Sequence, residues 1–187
     1  MNDDPYVYPG TSILKNKFDI RDAAAFDETE RELVAQRLMQ NIPTGNFDLE
    51  HLKSIHRHLF QDLYSWAGEI QTVEISRDGH QFQFRQYIET GMADVDRRLA
   101  EEHYFQGCKP AAFARKAAGI IGDINYVHPF RDGNGRTQLQ YLKQLGERAG
   151  RIVDLSLLQK NSWIEASKEA HQARYDGMAR CIEAALT

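Results

Sequence analysis

Nine consecutive residues, His128-Pro129-Phe130-Arg131-Asp132-Gly133-Asn134-Gly135-Arg136, bring an imidazole, a carboxylate, an amide, guanidinium groups and two glycines into one short span. Each has a use in phosphate chemistry. An imidazole that is neutral near pH 7 can take a proton from a hydroxyl, which makes His128 a candidate general base. Asp132 is a hard oxygen donor of the kind that holds magnesium together with substrate phosphates. Gly133 and Gly135 let an anion approach backbone N–H groups closely, and with Asn134 between them they form a candidate phosphate cradle. Arg136 can make a charge-assisted pair with a further phosphate. Pro129 and Phe130 serve geometry, turning the chain and anchoring the loop in the core. A glycine pair alone would be no more than a helix cap whose polar neighbours satisfy one another. Six polar or permissive positions at fixed spacing, all suited to one purpose, favour the chemical reading.

Two helices are expected to position this stretch. Upstream, Phe113, Ala117, Ile120, Ile121 and Ile124 mark an unusually apolar helical segment, the expected centre of the fold. Downstream, Thr137 to Ala149 reads as a helix buried through Leu139, Leu142 and Leu145, with Gly150 as its stop. The glycines then sit at the mouth of the second helix and Arg136 about one residue into it. Unpaired N–H groups and a partial positive charge would face an anion there.

The stretch matches, at every specified position, the signature His-Pro-Phe-x-(Asp/Glu)-Gly-Asn-Gly-Arg, and the chain thereby resembles the Fic family. The resemblance extends to Ile55-His56-Arg57-His58-Leu59-Phe60, to Tyr64-Ser65-Trp66-Ala67-Gly68 and to the Asp4-Pro5-Tyr6 start. It implies a mostly helical, all-α fold with a small β-hairpin flap over the active-site loop. It also implies transfer of AMP from ATP to a tyrosine, serine or threonine hydroxyl of a target protein. With ATP in the loop, Gly133, Asn134 and Gly135 would offer N–H groups to the phosphates and Asp132 would hold Mg2+. Arg136 would pair with the β- or γ-phosphate, and His128 would accept the hydroxyl proton. Arg77, Asp78 and Phe82 of the flap would lie nearest the nucleotide or target.

Two departures from the family pattern stand out. Many Fic sequences carry a second arginine three residues after the first, where this chain has Leu139. No inhibitory (Ser/Thr)-x-x-x-Glu-(Gly/Asn) motif is present, since Ser65-Trp66-Ala67-Gly68-Glu69 is followed by Ile70. The expected inhibitor is therefore a small antitoxin-like chain that brings a glutamate to Arg136. Related kinases carry lysine where this chain has Gly135, so glycine favours AMP transfer over phosphate transfer. UMP and phosphocholine donors stay open, as does a non-catalytic nucleotide-binding module. The expected targets are type II topoisomerase subunits in the cytoplasm, or host small GTPases after translocation.

The 187 residues fit one domain spanning 1–187, with 42% hydrophobic and 27% charged residues. A net charge of −4 leaves no basic footprint for nucleic acid or an anionic membrane. No apolar run approaches the ~20 residues of a spanning helix. Cys108 and Cys181 lie outside any metal-ligand spacing and read as free thiols. There is no phosphate-binding Gly-x-x-x-x-Gly-Lys-(Ser/Thr), which excludes a P-loop nucleotidase.

In chain order, residues 1–18 read as an extended arm tethered by Tyr6, Val7, Tyr8, Ile13 and Leu14. Asp22 or Asp27 caps a helix to about Gln40, with Phe26, Leu33, Val34, Leu38 and Met39 as its apolar stripe. Asp48 caps a second helix buried through Leu49, Leu52, Ile55 and Leu59. His51, His56 and His58 on it read as structural and not as metal ligands. Residues 70–85 read as the flap: Thr72 to Ser76 alternates, Asp78-Gly79 is a turn signal, and Phe82 and Phe84 alternate again. Its free edge could accept a target segment by strand addition. Ile88, Met92, Val95 and Leu99 mark a further helix. Leu155, Leu157, Leu158, Trp163 and Ile164 are expected to pack the C-terminal helices.

Overall fold

A computed structural model describes residues 4–77 and 79–187. The first helix, α1 (Ala23–Leu38), starts where the Asp22 carboxylate accepts from the Ala25 N–H at 2.9 Å. The second, α2 (Leu49–Phe60), starts in the same way at Asp48, which accepts from the His51 N–H at 2.8 Å. Such caps satisfy donors that the first turn leaves unpaired. Strands β1 (Ser76–Arg77) and β2 (His80–Gln81) form an antiparallel pair, with Ser76 opposite Gln81 and Arg77 opposite His80. Then come α3 (Ile88–Glu101), α4 (Pro110–Val127), α5 (Asn134–Arg148), α6 (Lys160–Ala170) and α7 (Asp176–Ala184).

Helix α4 is the hub. It packs on α3, α5, α6 and α7, and Phe113, Ala117, Ile121 and Ile124 are wholly buried. Proline stands at its first position, where the missing N–H costs nothing. One continuous apolar cluster joins these residues to Leu52, Ile55 and Leu59 of α2, Met92 and Leu99 of α3, and Leu142 and Leu145 of α5.

Several expectations change in detail. The apolar stripe of α1 is narrower than its spacing suggests. Phe26 and Val34 are buried, but Leu38 is 41% exposed and Met39, beyond the helix end, is 88% exposed. Helix α1 lies at the surface against α2, so only one narrow face is covered. Leu157 and Ile164 are likewise exposed, whereas Trp163 is buried. The arm is not extended: Val7 bridges Leu14, and the Lys15 N–H returns to the Tyr6 carbonyl at 2.7 Å. Its tether is Tyr6, whose hydroxyl accepts from the Thr72 N–H and whose ring meets Trp66 edge-on at 5.3 Å.

The hairpin ladder is only four residues long, because its flanks pair elsewhere. The Gln71 N–H donates to the Pro129 carbonyl at 2.9 Å, and the Gln83 N–H donates to the Tyr126 carbonyl at 3.0 Å. Both feet of the flap are thus stitched to the end of α4 and its loop. Among the described residues, no helix is long and apolar enough to cross a membrane. Cys108 and Cys181 are unpaired, as expected.

The burial pattern makes a direct prediction. Phe113→Ala should lose about 3–5 kcal/mol in chemical denaturation, whereas Met39→Lys should stay within about 0.5 kcal/mol of the parent. Equal losses would mean that α4 is not the centre of the core.

Candidate active site

The loop leaves α4 through His128, whose backbone is left-handed (φ 49°, ψ 61°). This conformation turns the chain sharply out of the helix. Phe130 then drops into the core with no exposed surface. Its ring stacks on the His56 imidazole, with centroids 3.9 Å apart. The Asn134 amide closes the turn from the other side: it accepts from the Phe130 N–H at 3.1 Å and donates to the Phe130 carbonyl at 2.6 Å. Its side chain is therefore structural, and only its backbone N–H is available to a ligand.

His56 supports the same loop. The Gly68 N–H donates to its Nδ1 at 2.8 Å, so Nε2 carries the proton and donates to the Asp132 carbonyl at 3.0 Å. Burial holds this imidazole down to about 4. His51 is also buried, and accepts from the Phe47 N–H; the His58 Nε2–H donates to the Arg37 carbonyl. All three histidines are structural. No group of three or more metal-ligating side chains occurs among the described residues.

Helix α5 begins at Asn134, with Gly133 before it in the left-handed region (φ 77°). A side chain on Gly133 would lie 2.4 Å from the Phe60 ring, whereas nothing lies within 4 Å of the equivalent position on Gly135. Gly133 is therefore demanded by the fold, and Gly135 leaves space open. Arg136 is the third residue of the helix, not the first as expected. No side chain caps this N-terminus, so among the described residues its first N–H groups meet no side-chain acceptor. An anion would satisfy them.

The His128 imidazole is 6% exposed. Its Nδ1 lies 3.2 Å from the Asn125 carbonyl, which can only accept, so the proton sits on Nδ1. The lone pair on Nε2 is left free. Burial lowers this imidazole to about 4, and the charge of Arg77 and the nearby His171 act in the same sense; the bond to Asn125 opposes them. Phe82 of the flap lies flat on the ring, with centroids 3.7 Å apart and planes 15° from parallel. Arg77, Phe82, His128, Gly135 and Gln138 line one cavity of about 530 Å³ together with α6 residues. Such a volume suits a small ligand. The structure thus brings Arg77 and Phe82 to the site. Asp78 lies outside the described residues.

Asp132 and Arg136 face each other, with Nη2 to Oδ2 at 3.1 Å. Partial burial raises the Asp132 carboxyl, and Glu30 adds to the rise; Arg136 pulls the other way. A carboxylate at the edge of an anion cradle fits magnesium, which needs one or two carboxylates plus phosphate oxygens, and here Asp132 is paired with Arg136, a bond that a metal ion would share or displace. Arg136 also meets Glu30 of α1 at 2.5 Å and lies over the Phe60 ring, 4.6 Å from its centroid. Glu30 in turn accepts from the Tyr64 hydroxyl at 2.9 Å.

Residues 46–145 match the family model described as the Fic/DOC family. The chain belongs to the Fic/DOC family. It is 36% identical over 168 residues to "Probable protein adenylyltransferase y4lH" of Sinorhizobium fredii, covering 88% of this chain and 86% of that protein. It is 33% identical over 189 residues to "Protein adenylyltransferase VbhT" of Bartonella schoenbuchensis, covering all of this chain and 40% of that one. Among solved structures, the BepC effector of Bartonella tribocorum with bound AMPPNP superposes with a TM-score of 0.88 at 27% identity, covering 98% and 96% of the two chains. A Fic domain from Bartonella quintana with bound ADP gives 0.87, also at 27% identity, covering 98% and 94%. The mostly helical Fic fold with a two-stranded hairpin is thereby the fold of this chain.

Sequence reasoning missed Glu30, Gln138 and the α6 wall of the cavity. Glu30 had a visible signal: it sits midway between Phe26 and Val34 on the one buried face of α1. An acid on an apolar stripe needs a partner. The other two carry no such mark.

Two predictions follow from the loop. Gly133→Ala should destabilise the protein and abolish nucleotide binding, whereas Gly135→Ala should fold normally and lose nucleotide affinity alone. Calorimetry with ADP beside a melting curve separates the two, and identical behaviour would contradict this assignment. The second prediction concerns acid. His56 and His128 are lowered to about 4 in the folded chain, against an ordinary value near 6.5. Between those values the unfolded chain binds protons that the folded one refuses, so stability falls as pH drops from 6.5 towards 4. Melting temperatures should decline through that window, and less steeply in His56→Gln. A flat profile in the parent would show that the imidazoles are not held neutral.

Proposed function

We infer that this Fic-family chain is a protein adenylyltransferase, passing AMP from ATP to a hydroxyl side chain of a target protein. The observation that carries the reading is the tautomer of His128: its Nδ1–H is spent on the Asn125 carbonyl, and its Nε2 lone pair is free beside a cavity. That arrangement suits a general base. The names of curated relatives and the nucleotides bound in related structures support the same reaction.

In the proposed reaction the target hydroxyl gives its proton to His128 Nε2 as its oxygen attacks the α-phosphorus. The bond from that phosphorus to the bridging oxygen breaks, and pyrophosphate leaves. The first N–H groups of α5 hold phosphate oxygens, and Arg136, oriented by Glu30 and Asp132, meets the outer phosphates. Such positioning supplies most of the catalysis in phosphoryl chemistry. Asp132 would hold magnesium, which would spread the phosphate charge. An imidazole near 4 is a weak base, but the arriving phosphates are negative and raise it towards the working range.

The flap exposes Ser76, Arg77, His80 and Gln81, an edge suited to strand addition by a target segment. Type II topoisomerase subunits in the cytoplasm are the first targets to test, on the resemblance to bacterial toxins. Likeness to VirB-translocated effectors supports action on another cell's proteins as a second reading. A glutamate from an antitoxin-like chain would have to compete with Glu30 for Arg136. Leu139 packs against the core and offers no cation, so another donor on the same loop is the alternative chemistry.

Incubation with labelled ATP and lysate tests the assignment. His128→Ala should lose about 10²–10⁴-fold in transfer while retaining ADP binding. Asp132→Ala should shift the magnesium titration to higher concentration. Transfer retained by a folded His128→Ala variant would sink the base assignment, and a phosphate adduct on the target in place of AMP would mean that ATP gives up its γ-phosphate and leaves as ADP.

A further inference from the structure

The family's common second arginine is absent, and Leu139, which stands in its place, is packed against the core. The next residue back, Gln138, behaves differently. It is 3% exposed, yet its Nε2 has no hydrogen-bond partner among the described residues. It lines the same cavity as His128 and Gly135. Gln138 follows Gly135 by three residues on α5, so the two share a face of that helix. The cavity is therefore lined in succession by the open N-terminal turn of α5 and then by the Gln138 side chain, whose Nε2 in this pose is turned away from solvent and unpartnered.

A buried amide without a partner lowers stability, and folded proteins keep few of them. A ligand site is one place where such a group persists, because a partner can arrive with the ligand. Either end of a glutamine amide can face the cavity after a half-turn of its terminal bond. An anion at the start of α5 is an acceptor only, so it would select the NH₂ end. Arg77, across the cavity on the flap, makes the same space favourable to negative charge.

We propose that Gln138 is a nucleotide-contacting residue, its amide donating to an oxygen of the phosphate chain on the cavity wall that it shares with Gly135. The inference rests on the nucleotide reading above and adds a specific residue to it. A neutral donor in place of a cation holds the phosphate chain less tightly and depends less on the number of phosphates.

Gln138→Leu keeps the volume and removes the amide. Without nucleotide its melting temperature should equal or exceed the parent's, because an unpartnered buried group has gone. Its affinity for ADP should fall about tenfold, in line with the loss of one hydrogen bond to a charged group, and its affinity for adenosine should not change. Gln138→Glu should lose more ADP affinity than Gln138→Leu, through repulsion. ADP bound equally well by parent and Gln138→Leu would overturn the proposal. So would an equal loss of adenosine, which would move the contact to the sugar or base, or a lowered melting temperature with full ADP affinity, which would make the amide structural. A parent that binds no ADP would remove the nucleotide reading and this inference together. A parent that binds ADP beside an indifferent Gln138→Leu removes the inference alone.

Discussion

The Asn134 amide accepts from the Phe130 N–H and donates to the Phe130 carbonyl, and through that pair of bonds the end of one helix is locked to the start of the next. Everything chemical in the molecule hangs on this closure. With Phe130 fixed, His128 must leave α4 in a left-handed turn, and Gly133 must enter α5 against the face of Phe60. His56 fills the remaining side, stacking on Phe130 and holding the Asp132 carbonyl. The His128 imidazole, the Asp132 carboxylate and the open start of α5 therefore share one rigid frame built from α2, α4 and α5.

The charges are arranged with similar economy. Arg136 lies between two carboxylates and over an aromatic ring. It is thus held in place before any phosphate arrives, so little side-chain freedom remains to be lost on binding. The His128 imidazole is neutral because it is dry, not because a base withdraws its proton. Its proton position is set by one main-chain carbonyl of its own helix. A neutral imidazole and an oriented cation are what the proposed phosphate-bearing substrate would need before chemistry begins.

Much of this was legible in the residues. The caps at Asp22 and Asp48, the apolar periodicity of α4 and the spacing of the 128–136 stretch are local signals, and local signals survive into the fold. The failures are equally physical. Leu38, Met39, Leu157 and Ile164 have apolar side chains on helix faces or ends that no neighbour happens to cover. The hairpin ladder is shorter than the alternation over 70–85 suggests, because its flanking N–H groups pair with α4 and the loop, a long-range choice with no local trace. The roles of Glu30 and Gln138 depend on which distant element faces them, and single-residue chemistry does not reveal that.

One consequence of the flap's position concerns proton affinity. The Phe82 ring shields one face of the imidazole from water, and both feet of the flap are bonded to the segment that carries that imidazole. Lifting the aromatic plate would hydrate the ring and make it hold a proton more firmly. The acidity of the conjugate acid is therefore tied mechanically to how tightly the ribbon is pressed down. On the proposed reading, a polypeptide added to the ribbon's outer rim would tune the reactivity of the imidazole beneath it.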